Sequence, residues 1–136
     1  MTQAEIARTM GTSEMQISRL ARALYRERLP LSDLDALKIL AVPEVMAAGF
    51  TTSVAVELLV KFASEVSYLS ADPERRCWIA FCIHNEDDDE VQLSALKAHR
   101  LQSIIDSHPV SLILPMHNVV AAARAELNRI KNRSAA

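Results

Sequence analysis

Residues 3–22 read QAEIARTMGTSEMQISRLAR and predict two short helices joined by a tight turn. Ala7 is a small residue where the two helices approach each other, and Gly11 lies where the chain must turn. Glycine suits such a turn because it adopts a positive φ angle at no steric cost. Ile17 is the apolar residue that holds the second helix on the first, and Ser13 is the predicted N-cap of that second helix.

The second helix is predicted over residues 13–26 and has two unlike sides. Apolar residues recur at helical spacing on one side, at Ile17, Leu20, Ala21 and Leu24. The other side is formed by Met15, Ser18, Arg19, Arg22 and Arg26. One side is therefore expected in the core, and the other is free to enter a groove of DNA, which is the arrangement of a helix-turn-helix.

The composition favours a folded, mainly helical chain. Half of the 136 residues are hydrophobic, only six are aromatic and only two are glycine. We expect a mainly α fold with a small β component (α+β). A winged helix-turn-helix domain is predicted over residues 1–66, and a small α/β domain for dimerisation or partner binding over residues 74–134. The absence of a signal peptide and of an apolar run of about 18 residues predicts a cytoplasmic protein.

Charge is distributed unevenly along the chain, whose formal net charge is −2. Residues 1–30 hold five arginines and three glutamates, a charge of +2. Residues 31–100 hold six basic and twelve acidic groups, a charge of −6, and the remainder holds four basic and two acidic groups, a charge of +2. A basic end on an acidic protein is typical of a small DNA-binding protein, because the acidic remainder limits non-specific adhesion.

A third and a fourth helix are predicted next. Ser32, with Asp35 three residues later, is the expected N-cap of the third helix. Pro43 should kink or split that helix because it lacks a backbone donor, and Gly49 should end it. The fourth helix is predicted over residues 54–62, capped by one of the two threonines that follow Phe50.

The C-terminal half mixes strands and helices. Residues 67–76 predict a linker or turn. Residues 76–84 and 110–115 predict strands, the first buried on both faces. Residues 91–107 either begin as a strand (VQLSAL) that pairs back on the first or form a helix, and residues 116–131 predict a last helix. Two strands and a helix are too few for an independent sheet, so this half should pair with a second copy of itself or pack on the N-terminal domain.

Residues 2–62 resemble the MerR-like winged-helix regulators. In that family a two-helix unit is followed by a short wing, a third helix and a Gly-Phe-Ser/Thr turn into a fourth helix. The positions that follow this pattern are Asp35, Leu37, Ile39, Val42, Val45 and the turn Gly49-Phe50-Thr51. The wing, RERLPLS, is shorter than is usual in the family. Because the family's long dimerising helix and effector domain are not recognisable, ligand sensing is not implied.

The resemblance implies contacts with double-stranded DNA. Positions near the start of the second helix are expected at base edges, and arginines further along and in the wing at phosphates. Glu14 would be repelled by phosphate unless it accepts from a cytosine amino group or pairs with Arg19. The predicted DNA-binding residues are Thr2, Gln3, Thr12, Ser13, Glu14, Met15, Gln16, Ser18, Arg19, Arg22, Arg26 and Arg28. The hypothesis is a transcriptional regulator, a homodimer through residues 76–131, that reads a short inverted repeat.

Catalysis, a cofactor and a metal site are not expected. The acidic run at residues 86–90 lacks the spaced ligands and the glycine of a calcium loop, and it predicts a solvated turn. Cys82 and His84 lack the paired spacing of zinc ligands. Cys77 and Cys82 are predicted to be buried small hydrophobes on opposite faces of a strand. The sequence contains no nucleophile elbow and no glycine-rich phosphate loop.

Alternatives to a DNA-binding regulator remain open. The arginines of the second helix could form a merely solvated face. A protein-binding antirepressor, antiactivator or antitoxin-type module would hold its partner protein through residues 76–131. A DNA-architectural factor that sets the direction of recombination is also compatible with a small winged helix.

Overall fold

The computed structural model describes residues 2–24, 31–83, 90–108 and 110–135. These ranges form seven helices and a three-stranded antiparallel sheet, which confirms the predicted α+β class. The helices are α1 (Gln3–Met10), α2 (Glu14–Ala23), α3 (Asp33–Ala47), α4 (Thr52–Lys61), α5 (Ala63–Ser70), α6 (Ala98–Ser107) and α7 (Met116–Ala135). The strands are β1 (Trp78–Ile83), β2 (Glu90–Ala95) and β3 (Ser111–Pro115).

The first four helices begin at hydroxyl side chains that cap their free backbone amides. Each hydroxyl oxygen accepts a hydrogen bond from the N–H three residues later, as the sequence predicts for Ser13 and Ser32. At Ser32 the bond is reciprocal, because Asp35 accepts in turn from the Ser32 N–H. The four capping residues are Thr2, Ser13, Ser32 and Thr51.

Helix α3 is the centre of the fold and is buried on almost every side. It contacts α1, α2, α4, α5 and α7. The helix continues through Pro43, so of the two predicted outcomes, a kink or a split, the split does not occur. A proline in a helix interior costs about 3 kcal/mol. Burial of the side chains on both sides of it, among them Val42 and Val45, offsets this cost because each contributes about 1.5–3 kcal/mol.

The long C-terminal helix α7 packs against α3 and also contacts α1 and α5. One continuous hydrophobic cluster therefore contains residues of both predicted domains. The ring of Phe50, in the turn before α4, lies 5.0 Å from the ring of Phe81 in β1. An exposed ion pair between Lys131 and Asp33 joins the end of α7 to the start of α3.

Residues 67–76 are only partly the linker that their composition predicts. Residues 67–70 belong to α5, and the turn begins at Ala71. Val66 and Leu69 of α5 are buried in the main cluster. Serine and tyrosine are weak helix formers, so burial rather than intrinsic propensity stabilises this helix.

The sheet has β1 at its centre, in the order β2-β1-β3, with both neighbours antiparallel. Residues 90–95 therefore form the second strand that pairs back on the first, and residues 98–107 of the same ambiguous segment are helical. Ile79 and Phe81 join the main cluster, whereas Ala80 and Cys82 lie on the opposite face with Ile104 of α6. This arrangement confirms a first strand buried on both faces.

Two predicted features lie outside the described residues, namely the wing with Arg26 and Arg28 and the acidic run at residues 86–89. The predicted second helix is shorter than expected, because it ends at Ala23 with Leu24 as its C-cap. Within the described ranges, no helix combines the length and the apolar character needed to cross a membrane.

Candidate nucleic-acid interface

The turn between α1 and α2 has the geometry that the sequence predicts. Gly11 has φ 66° and ψ 34°, the left-handed conformation. Its N–H donates to the carbonyl oxygen of Arg8, and the Thr12 N–H donates to that of Ala7 at 2.9 Å. A methyl group added at Gly11 would meet no atom within 4 Å. Glycine is therefore favoured here for its backbone conformation and not for lack of space.

The inner side of α2 is part of the main hydrophobic cluster. Ile17, Ala21 and Leu24 are buried, as predicted, and they share this cluster with Ile6 and Ala7 of α1. Leu20 is only partly buried, at the edge of the cluster. The side of α2 that faces the protein is thus fixed by packing.

The outer side of α2 is open to solvent. The side chain of Met15 is 65% exposed, and its sulfur lies 3.7 Å from the guanidinium of Arg19, which donates to it. The two predicted partners Glu14 and Arg19 form no ion pair with each other. The exposed predicted residues of this side are Ser13, Glu14, Met15, Gln16, Arg19 and Arg22.

The remaining predicted residues lie less openly. Ser18 is half-buried on α2, and Thr12 is half-buried in the turn. Thr2 and Gln3 lie at the start of α1, where Thr2 is exposed and caps that helix. The predicted interface therefore consists of the exposed side of α2 and a smaller contribution from the start of α1.

A groove of about 710 Å³ runs between α2 and the helices α3 and α4. Gln16 and Arg19 line it from the α2 side, and Glu57 lines it from α4. Its floor is apolar and is formed by Met10, Leu20, Val42, Pro43, Met46 and Val56. Arg19 therefore borders both the open side of α2 and this groove.

Sequence reasoning missed a basic side chain close to the two-helix unit. Arg133 at the end of α7 lines a small cleft together with Glu5, Arg8 and Thr9 of α1. The excess positive charge of the C-terminal segment is visible in the sequence. Its position beside α1 is not visible, because it depends on the packing of α7 across the fold.

Cys77 and His117 take part in packing and hydrogen bonding within the fold. Burial, with a smaller contribution from the charge of Glu65, raises the pKa of the Cys77 thiol to about 12. The thiol is therefore neutral at physiological pH and unsuited to nucleophilic or metal chemistry. His117 Nδ1 lies 3.3 Å from the Cys77 nitrogen and 3.0 Å from its carbonyl oxygen, which joins the start of α7 to β1. Among the described residues, no three acidic, cysteine or histidine side chains are grouped closely enough to hold a metal ion.

Comparison with known proteins adds no family assignment. No model of a known protein family matches the chain, and no curated protein sequence matches it. The function is therefore inferred from the geometry of α1 and α2.

Proposed function

We propose that the protein is a cytoplasmic, sequence-specific DNA-binding transcriptional regulator of the MerR-like winged-helix type. It acts as a homodimer on a short inverted repeat, and each copy places α2 in the major groove. The observation that carries the proposal is the division of α2 into a buried side and an open side that bears Arg19 and Arg22. The left-handed turn at Gly11 and the cap at Ser13 fix the direction in which α2 leaves α1.

In this proposal the residues at the start of α2 read base edges. Arg19 is the principal one, because a guanidinium can donate two hydrogen bonds to the O6 and N7 atoms of a guanine. The Met15 side chain, which the Arg19 guanidinium now contacts, would give apolar contact to a thymine methyl group. Arg22, with Arg26 and Arg28, would contact phosphates and so contribute affinity rather than sequence choice.

Arg133 and Arg8 extend the proposed phosphate contacts beyond the two-helix unit. Both line the same cleft, so α7 brings a cation from the far end of the chain to α1. Each phosphate neutralised by such a residue would make the negative slope of log affinity against log salt concentration steeper by about 0.9. Arg133→Ala should therefore make the salt dependence less steep without changing sequence preference.

The direct test is selection of bound fragments from random double-stranded DNA, followed by fluorescence anisotropy at several salt concentrations. The expected result is enrichment of an inverted repeat and an affinity that falls steeply with salt. Arg19→Ala should relax the preference at one base position and cost about 1–3 kcal/mol. Arg100→Ala removes the same charge from an exposed position on α6, so it is the matched control and should change neither. Absence of salt-dependent binding at micromolar protein would overturn the proposal.

A protein-binding module is the second candidate, supported by apolar side chains that remain exposed in the C-terminal half. These are Leu96, Ile105, Val110 and Leu112. In this candidate the chain is an antirepressor, an antiactivator or the antitoxin of a pair, and the surface holds a different protein. A monomer in light scattering, combined with no DNA binding, would favour it over the regulator.

A further inference from the structure

Strand β3 is an edge strand of the sheet and carries an exposed apolar side chain. It forms one end of the sheet, and among the described strands it pairs only with β1. Its sequence, SLILP, contains no charged residue. Leu112 is 59% exposed, and Val110, just before the strand, is 52% exposed. Edge strands are usually protected from pairing by charge, proline or a covering element. Among the residues of the strand itself, only the last one, Pro115, supplies such protection.

The direction of the backbone groups along β3 follows from its pairing with β1. The Met116 N–H donates to the Cys77 carbonyl at 2.9 Å, and hydrogen-bonded pairs alternate along an antiparallel ladder. With the register Ile79↔Leu114 and Phe81↔Leu112, the polar groups of Leu112 and Leu114 point towards β1. The N–H and C=O groups of Ser111 and Ile113 therefore point outwards, where they can pair with another strand.

We propose that β3 pairs with β3 of a second copy of this chain, antiparallel, around a twofold axis at Leu112. Ser111 of each copy then lies opposite Ile113 of the other, and Val110 lies opposite Leu114. The three strands of each copy join into one continuous sheet. Phe81 and Leu112 are paired residues of adjacent strands and share one face, so the two Leu112 side chains meet on the face that already carries the core.

The twofold symmetry restricts the register. A symmetric antiparallel pair has its axis at a residue that lies opposite itself, so Leu112 and Ile113 are the two central possibilities in β3. An axis at Ile113 would place Ser111 opposite Pro115, which has no N–H to donate, and would leave Val110 unpaired. An axis at Leu112 pairs both outward N–H groups and covers both exposed side chains. The other edge strand, β2, carries no exposed large hydrophobic residue and begins with exposed Glu90.

The inference rests on the proposed function for its purpose, because a twofold axis is what an inverted repeat requires. Its tests use no DNA, so their failure can be told apart from failure of the regulator proposal. A wild-type chain that is monomeric but binds DNA would overturn only the dimer. A dimer without DNA binding would overturn only the regulator.

The first test is light scattering of the full chain with Leu112→Lys, which places two like charges at the axis. The wild type should be dimeric at micromolar protein, and Leu112→Lys should be monomeric. Its urea unfolding midpoint, extrapolated to low protein concentration, should equal that of the wild type because the side chain is mostly exposed. Met46→Lys makes the same kind of change at an exposed residue of α3 and should stay dimeric. A monomeric wild type, or a dimer that survives Leu112→Lys, would overturn the inference.

The second test is disulfide trapping, which measures the register. Directly opposed residues whose polar groups point away from each other have Cα atoms about 4.5 Å apart, within the range that a disulfide spans. Leu112→Cys should therefore form a covalent dimer under mild oxidation. Ile113→Cys should not, because its two copies would lie diagonally at about 7–8 Å. The native Cys77 and Cys82 are fully buried and should not react. Cross-linking through Ile113→Cys instead of Leu112→Cys would overturn the proposed register.

Discussion

α2 and α3 are consecutive helices of the same fold, and they differ in how much of their surface is buried. In α2 the buried residues are Ile17 and Ala21, and the side that bears Met15 and Arg19 faces solvent. In α3 the buried residues are distributed around the whole helix, including Ile39 and Leu40. Helix α2 is thus exposed to solvent on one side, and helix α3 is enclosed by its neighbours.

The difference separates residues that stabilise the fold from residues that are available for binding. Side chains of α3 contact helices from both ends of the chain, so a change there is felt by the whole core. Side chains on the outer side of α2 contribute little to packing. These side chains can therefore be suited to a binding partner without loss of stability.

The largest expected effect is the contrast between Ile39→Ala and Met15→Ala. Ile39 is fully buried, and removal of its side chain should lower the free energy of unfolding by about 2–5 kcal/mol. Met15 is mostly exposed, and its replacement should change that free energy by less than about 0.5 kcal/mol. Urea unfolding followed by circular dichroism measures both.

If Ile39→Ala and Met15→Ala are equally unstable, the outer side of α2 is not free of packing contacts. That outcome would mean that the outer side of α2 packs against something in solution. Light scattering of the wild type over a range of protein concentrations would then reveal whether a second copy covers Met15.

Local chemistry made the front of the fold predictable. The hydroxyl residues Ser13 and Ser32 begin their helices because their side chains satisfy backbone amides that have no other partner. Gly11 and Gly49, the chain's two glycines, both have positive φ angles. These features depend on a few neighbouring residues, which a sequence displays directly. The contribution of Arg133 to the candidate interface depends on contacts between distant segments, so local patterns do not reveal it.

Contacts between distant segments explain where the structure departs from the sequence-based predictions. The continuity of α3 through Pro43 depends on burial by α4 and α7, which outweighs the local cost. Residues 67–70 are helical because α5 buries Val66 and Leu69 against the core, not because their composition favours a helix. The end of α2 at Ala23 likewise departs from the apolar spacing, which predicts a longer helix.

The second expected effect compares the glycine before α2 with the glycine after α3. Gly11→Ala should cost about 1–2 kcal/mol, because an alanine at φ 66° is strained although space is open. Gly11→Asn should recover part of this loss, since asparagine tolerates the left-handed conformation. Gly49 has φ 108°, beyond the left-handed range that asparagine favours, so Gly49→Asn should recover little relative to Gly49→Ala. Thermal unfolding of the four variants measures the difference, and equal recovery at both positions would contradict this account of the turns.

The smallest expected effect compares the two serine caps. Ser32→Ala should lower the free energy of unfolding by about 1 kcal/mol, because it breaks a reciprocal capping box on the central helix. Ser13→Ala removes one hydrogen bond, which the Gln16 N–H donates to the Ser13 hydroxyl at 3.2 Å. This bond lies at the start of α2, which is exposed to solvent on one side. The main effect of Ser13→Ala should be local, since the first turn of α2 can open while α3 stays folded.

Amide hydrogen exchange distinguishes the local effect from the global one. Ser13→Ala should speed exchange in the first turns of α2 and leave α3 and α7 nearly unchanged, whereas Ser32→Ala should speed exchange in all three helices. Ser53→Ala, an exposed serine in the first turn of α4 that does not cap it, is the matched control for the loss of a hydroxyl group. Faster exchange throughout the core in Ser13→Ala would mean that α2 opens only with the whole protein. The separation between a stabilising helix and a helix available for binding would then fail.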